Sequence, residues 1–240
     1  MAKKIHPHHK MDKLMKNIVF VLAAIFSVSL NAGSFGKQDT GSDPITVDAD
    51  SGLKCDQNKK KCTAFNAIVK QSDKNLRAKT VSVFFNNADD IDRVTAKTAV
   101  KLSSAGRFRA SGDHLNFDLT KGNAVLTGHA MAEDLERKQR IKANKIVLQL
   151  KKDKFGKTQI DWAEAFKNVD VKTPKTVASS QYGKHNGAKE EGCLKGNVRL
   201  TQKSGQLNGK EAIMNLRTGK NKIISGKKRP VRILLTPSKS

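Results

Sequence analysis

The sequence predicts an all-β protein built from stacked antiparallel hairpin rungs with open edges. From residue 45 onward apolar residues alternate with polar ones, as in residues 115–119 (LNFDL) and 231–235 (VRILL), which is the period of a strand with one buried face. Polar turn residues separate these runs, for example at 121–123 (KGN) and 186–187 (NG). Residues 133–142 have helical propensity, but the flanking alternation favours a hairpin with a long turn.

A repeat supports the same fold class. Three similar segments begin at Phe65, Gly128 and Gly196, and weaker copies begin at Ala99 and Asn168, so the spacing is about 30 to 40 residues. Each strong copy contains a short strand, a polar turn, an apolar residue and, two positions later, a small residue. The apolar and small residues are Leu76 with Ala78, Ile141 with Ala143, and Leu207 with Gly209. We expect the rungs to bury an apolar seam between two sheets, with open edges at the first and last rung.

The N-terminus has the pattern of a secretory signal peptide. Residues 1–16 contain five lysines, residues 17–30 (NIVFVLAAIFSVSL) are uncharged, and small residues follow at 31–33. We expect cleavage near Ala32, which divides the chain into a signal peptide (1–32), a linker (33–44) and one β domain (45–237). The alternative is an uncleaved membrane anchor, although the apolar run is shorter than a bilayer-spanning helix.

The charge balance points to an anionic partner. The 240 residues include 46 Lys and Arg against 22 Asp and Glu, a formal net charge of +24. Basic clusters at 59–61, 137–138, 151–152 and 227–229 either contact lipid phosphates or a membrane surface, or are solvated turn charges. We expect no nucleic-acid partner, because the chain carries an export signal and only ten Phe, one Trp and one Tyr for base stacking.

The three cysteines predict a structural role at most. Cys55 and Cys62 bracket a polar turn, DQNKKK, so they either form a disulfide across a hairpin or remain free, and pairing would leave Cys193 alone. No histidine lies at a zinc-like spacing from a cysteine, and we expect neither a metal nor a cofactor. The chain also lacks a nucleophile elbow, a zinc-protease helix motif and a glycine-rich phosphate loop, so we expect no enzyme.

The last predicted strand lies between two prolines, Pro230 and Pro237, and is largely apolar. Sheet edges are usually protected by charge, proline or a bulge. The strand is therefore either covered, with prolines that limit further pairing, or a docking edge for another protein by strand addition.

In several segments the chain resembles the LptA (OstA-like) group of periplasmic lipopolysaccharide-transport proteins. These segments are 44–50 (PITVDAD), 76–83 (LRAKTVSV), 115–130 (LNFDLTKGNAVLTGHA), 196–198 (GNV) and 232–237 (RILLTP). The resemblance implies a long, twisted β-jellyroll with a lipid-holding interior. It also implies end-to-end stacking of members that bridge an inner-membrane transporter and an outer-membrane insertion complex.

The resemblance also implies a site, partners and a compartment. The residues that match the family's lipid-facing strands, with two neighbours, are Ile45, Val100, Phe117, Leu119, Val47 and Val83. An ordinary sandwich core is the alternative interpretation of each. The implied ligand is lipopolysaccharide through its lipid A, and the implied compartment is the periplasm. The implied protein partners are LptC-like and LptD-like proteins, joined by edge-strand addition, and further copies of the chain.

Two functional alternatives stay open. One is a membrane-anchored LptC-like component of the same pathway, and the other is a basic periplasmic scaffold or binding protein on the same fold. The chain also departs from the family pattern, because it carries the Cys55 and Cys62 pair and an additional unit at about 151–195.

Overall fold

The computed structural model describes residues 45–104, 106–152, 158–203, 205–215, 221–226 and 230–235. These residues form fourteen β-strands and contain no helix. The signal peptide (1–32), the linker (33–44) and the last two residues of the expected domain (236–237) lie outside them. The strands are β1 (Thr46–Ala49), β2 (Leu53–Asp56), β3 (Lys61–Gln71), β4 (Lys74–Phe85), β5 (Ile91–Ser104), β6 (Phe108–Asp118), β7 (Asn123–Asp134), β8 (Gln139–Lys152), β9 (Thr158–Lys172), β10 (Thr176–Asn186), β11 (Glu191–Gln202), β12 (Gly205–Asn215), β13 (Asn221–Ile224) and β14 (Arg232–Leu235).

All fourteen strands belong to one antiparallel sheet. From β3 to β12 each strand pairs with its neighbours in sequence, so the sheet is a series of hairpins. Both β1 and β2 pair with β3 at one edge, and both β13 and β14 pair with β12 at the other. The predicted all-β fold of stacked hairpins with open edges is confirmed. Residues 133–142 form a hairpin, since β7 and β8 are joined by a four-residue turn.

A line of β-bulges bends the sheet in the middle of its strands. The pairing register shifts by one residue on both sides of β5, β7, β9 and β11, so each of these alternate strands carries one extra residue. A bulge bends the strand that contains it. At each bulge two successive residues adopt left-handed φ between 50° and 78°: Thr98 and Ala99, Gly128 and His129, Lys167 and Asn168, Gly196 and Asn197.

The bend divides the sheet into two arms, here named arm A and arm B. Arm A comprises β2, β13 and residues 61–65, 80–85, 91–97, 114–118, 123–127, 145–152, 158–166, 182–186, 191–195 and 211–215. Arm B comprises β1, β14 and residues 67–71, 74–78, 100–104, 108–112, 130–134, 139–143, 169–172, 176–180, 198–202 and 205–209. Residues of both arms share one hydrophobic cluster from β3 to β9. The seam expected between two sheets therefore lies between two arms of a single bent sheet.

The bend of the sheet explains the sequence repeat. Its copies begin at Phe65, Ala99, Gly128, Asn168 and Gly196, each of which lies at the bend or one residue before it. The small residues of the repeat lie opposite the first residues of arm B, in the register pairs Ala67 with Ala78, Ala130 with Ala143, and Val198 with Gly209. The alanines of the first two pairs are all buried. Small side chains are needed here because the two arms converge at the bend.

The additional unit at about 151–195 extends the stack. It supplies β9, β10 and the start of β11, which keep the antiparallel register and the bulge of the preceding hairpins. Its buried residues Ile160, Ala165 and Val169 join the hydrophobic cluster that begins at β3.

Within the described part of the chain, no helix is long and apolar enough to cross a membrane.

Candidate functional site

An apolar cleft opens between the two arms at the β1 and β2 edge of the stack. Its volume is about 270 Å³, and aliphatic side chains form most of its wall. The lining residues are Ile45, Val47, Leu53, Cys62, Ala64, Val69, Gln71, Lys74, Asn75, Leu76, Val81, Val83, Phe85, Ile91, Val94 and Leu119. A cavity with an apolar wall and a few polar groups is the usual form of a ligand site.

The first two strands place apolar side chains at the mouth of this cleft. β1 pairs with the arm B part of β3 and β2 pairs with the arm A part, so the chain crosses between the arms at residues 50–52. Gly52 makes this crossing with φ 95°, and its carbonyl accepts a 3.0 Å hydrogen bond from the Phe65 N–H. Because no strand of the described chain covers this edge, Val47 and Leu53 remain 45% and 61% exposed.

The structure brings together four of the six residues that the resemblance implied. Ile45 and Val47 line the cleft from arm B, Val83 lines it from arm A, and Leu119 lines it from the turn after β6. Val100 and Phe117 lie deeper in the stack, 1% and 2% exposed, inside the hydrophobic cluster. All six point toward the interior, but only the first four border the cleft.

Several cleft residues were missed at the level of sequence. Phe85 continues the alternation of Val81 and Val83 along β4, so that periodicity was a usable signal for it. Leu53 is one apolar residue in a short polar segment. Its place at the mouth follows from the pairing of β2 with arm A, which periodicity does not reveal.

A disulfide holds the mouth on the arm A side. Cys55 and Cys62 face each other in the β2–β3 pairing and are bonded, and Cys62 also lines the cleft. The bond links the edge strand β2 covalently to β3. It therefore opposes fraying of an edge that pairing on only one side stabilises.

The polar part of the lining lies at the turn end of arm B. Gln71, Lys74 and Asn75 flank the β3–β4 turn, and Lys74 is the cationic member of the lining. Charge therefore lies at one rim of the cleft while the walls are apolar. An amphipathic molecule with an anionic head fits this arrangement, with its apolar part between the arms.

None of the described titratable groups with a shifted pKa lines the cleft, although Asp56, whose pKa is lowered by a hydrogen bond from the Lys59 backbone N–H, lies on β2. Tyr182 donates a 2.7 Å hydrogen bond to Glu164, and burial together with that bond raises the pKa of the phenol. Cys193 donates to Glu211 over 3.2 Å, and burial raises the pKa of this thiol to about 11. Cys193 is therefore protonated at neutral pH and is a poor nucleophile.

The described chain therefore belongs to the class of open, bent antiparallel β-sheet proteins with an apolar cleft between the two arms. Residues 46–154 and 138–220 each match a family model described as "LptA/(LptD N-terminal domain) LPS transport protein". The two matches together span 46–220, more than two thirds of the chain, and the protein belongs to this family. The resemblance inferred from the sequence is confirmed. The family is one of transport proteins and not of enzymes, and the second match covers the additional unit at 151–195.

A solved structure in the comparison is LptH from Pseudomonas aeruginosa, described as "the LptA homologous periplasmic component of the conserved lipopolysaccharide transport device". It is 13% identical in sequence, the match covers 81% of this chain and 96% of LptH, and the TM-score is 0.24. The comparison with curated proteins finds no match.

Proposed function

We propose that this protein binds lipopolysaccharide in the cleft between its arms and forms part of a periplasmic bridge from the inner to the outer membrane. In this proposal residues 1–32 are removed as a signal peptide, 33–44 form a linker, and 45–237 form the carrier domain. The observation that carries the proposal is an apolar cleft in a member of the lipopolysaccharide-transport family, open at one edge of the sheet and lined by residues of both arms.

The cleft suits an acyl chain energetically. Each methylene moved from water to an apolar surface contributes roughly 0.8 kcal/mol. Ile45, Val47 and Leu53 at the mouth are 39%, 45% and 61% exposed, so a bound chain would also remove their apolar surface from water. Lys74 at the rim offers an ammonium group to an anionic head group. Many weak contacts share the binding energy, so single substitutions in the lining should have small effects.

The two edges of the sheet support a bridging role. Among the described residues, main-chain groups of β1 and β2 are paired on one side only, as are those of β13 and β14. Ile233 and Leu234 on β14 are 59% and 64% exposed, so the described residues leave this strand uncovered. Such edges accept a further strand. We propose that an LptC-like protein, an LptD-like protein or another copy of the chain supplies it.

Photo-crosslinking tests the lipid path. A photoreactive amino acid replaces Val83 or Leu119 in the cleft, and lipopolysaccharide attached to the protein is detected by antibody after irradiation in a Gram-negative host. We expect adducts at both positions. Lys59 is the exposed control, and Phe117 is the matched control for a residue buried in the core. Folded, exported variants with no adduct at Val83 and Leu119, or with equal adducts at Lys59, would contradict the proposal.

A further inference from the structure

A second hollow lies on the outer surface of arm A, on the opposite side of the sheet from the cleft. Its volume is about 300 Å³, and it spans the four neighbouring strands β3 to β6. Along β4, Val81 and Val83 line the cleft while Thr80, Ser82 and Phe84 line this hollow. This division follows from the alternation of side chains across a strand.

Short side chains form the floor of this outer hollow and long ones form its walls. The pairing register aligns the floor in one row across four strands: Thr63, Ser82, Thr95 and Asn116. Lys61, Phe84 and Arg93 form the row on one side, and Thr80 and Lys97 belong to the row on the other. Lys97 is four residues from Arg93 along β5, about 14 Å at the usual rise of a strand.

The floor can both donate and accept hydrogen bonds. Thr63, Ser82 and Thr95 carry hydroxyl groups, and Asn116 carries an amide. The Thr63 and Ser82 hydroxyls lie 2.9 Å apart and share a hydrogen bond. Ser82 is 6% exposed, so it lies at the bottom of the hollow. Hydroxyl and amide groups in a row are the complement of a ligand that carries several hydroxyl groups.

The cations around the floor have no anionic partner among the described residues. No carboxylate of the described chain lies within ion-pair distance of Lys61, Arg93 or Lys97. Asp118, opposite Arg93 in the register, is bonded to Lys121 instead. The outer face of strands β9 to β12 differs from this hollow. There the ammonium groups of Lys184 and Lys195 lie 3.0 Å from Glu164 and 3.3 Å from Glu211.

Two of these cations, on the strands that flank β4, contact the same aromatic ring. The Arg93 guanidinium lies 4.1 Å from the centroid of the Phe84 ring, and the Lys61 ammonium lies 5.3 Å from it. The ring attracts both cations, but the cations repel each other. An anion bound on this side of the hollow is attracted by both cations, and each can donate a charge-assisted hydrogen bond to it.

We infer that the outer hollow of arm A binds a phosphorylated saccharide, with the phosphate at Lys61 and Arg93 and the sugar hydroxyls on the floor. The inference does not rest on the proposed function, because the outer hollow and the cleft are on opposite faces of the sheet. Two sources share this chemistry, a free sugar phosphate and the phosphorylated head group of a glycolipid.

The test is a titration of the isotope-labelled exported protein by NMR. Glucose 1-phosphate should shift the amide signals of Thr63, Ser82, Thr95 and Asn116 in a saturable way. Inorganic phosphate should bind several-fold more weakly, and unphosphorylated glucose should leave the signals unchanged. Deacylated lipopolysaccharide is the second arm. Saturation by it at a lower concentration identifies a head group as the source, and tighter binding of glucose 1-phosphate identifies a free sugar phosphate.

Variants separate a specific site from the general positive charge. The triple variant K61Q/R93Q/K97Q should weaken binding about tenfold or more, a loss of at least 1.4 kcal/mol. The matched control, K145Q/K184Q/K195Q, removes three charges from the outer face of strands β8 to β11 and should change the affinity less than twofold. Three outcomes would overturn the inference. The two variants could weaken binding equally, phosphate and glucose 1-phosphate could bind equally, or neither saccharide could give a saturable shift. Crosslinking from Val83 and Leu119 should be unaffected by the triple variant, so the two proposals can fail separately.

Discussion

Phe117 and Leu119 lie two residues apart and both face the interior, yet they have different environments. Phe117 lies in β6, 2% exposed, and packs in the hydrophobic cluster that both arms share. Leu119 lies in the turn after β6 and borders the cleft. The alternation of residues along a strand therefore predicts which face of the sheet a side chain occupies, but not how far the side chain lies from the open edge.

This difference predicts unequal effects on stability. Phe117→Ala should lower the free energy of unfolding by about 3 to 5 kcal/mol, because it leaves a cavity in a closely packed core. Leu119→Ala should cost less than half as much, since one side of this residue already borders open space. Urea denaturation of both variants measures the two values. Equal losses would show that Leu119 is an ordinary core residue.

At this scale the sequence predicted the inward orientation but not the function of each residue. Alternation and the family resemblance selected six interior positions, and four of them line one cleft. Val100 and Phe117 could not be distinguished from the others, because their burial depends on strands distant in sequence. The outer hollow could not be predicted either, since Thr63, Ser82 and Thr95 become neighbours only through the pairing of three strands.

At the scale of the strand, the bend occurs without a common sequence signature. The four left-handed pairs are Thr-Ala, Gly-His, Lys-Asn and Gly-Asn at residues 98–99, 128–129, 167–168 and 196–197. Glycine and asparagine favour this conformation, but Thr98 and Lys167 do not. At each pair the alternation of apolar and polar residues shifts by one position, so the sequence pattern of one long bent strand is that of two short strands. The repeat could therefore be predicted from the sequence, but the bend that causes it could not.

The converging arms predict intolerance to larger side chains at the bend. Ala130 is 0% exposed and lies opposite Ala143 across the β7–β8 pair. Ala130→Val should destabilise the protein by about 1 to 3 kcal/mol through overpacking, measured as a lower midpoint of thermal unfolding by circular dichroism.

Ala88→Val is the matched control for this substitution. Ala88 is exposed in the β4–β5 turn, so the same change there should stay within about 0.5 kcal/mol of the parent. If Ala130→Val unfolds at the same temperature as Ala88→Val, the arms are not in close contact at the bend.

At the scale of the whole molecule, the strands that the structure describes leave unpaired main-chain groups at both edges of the open sheet. End-to-end association should raise the average mass of the protein with concentration, as measured by size-exclusion chromatography with light scattering. Leu234→Lys on β14 should lower this mass, because a charge on an edge strand opposes further pairing.

Val177→Lys is the control for the edge substitution. Val177 is 50% exposed but lies on β10, which is paired with a strand on each side. This variant should associate like the parent. A constant monomer mass at all concentrations, or equal losses in both variants, would contradict association through the edges.

The line of bulges also restricts how such a protein can change in length. Bulged strands alternate with regular ones from β5 to β12, so the smallest insertion that preserves the bend is a pair of strands. Each pair adds about 9.6 Å to the stack, twice the usual separation of strands. Loss of a single strand would place two bulged strands side by side and misalign the bend. The length of a stack built in this way can therefore differ between proteins only by whole pairs of strands. The β9–β10 hairpin corresponds to one such pair.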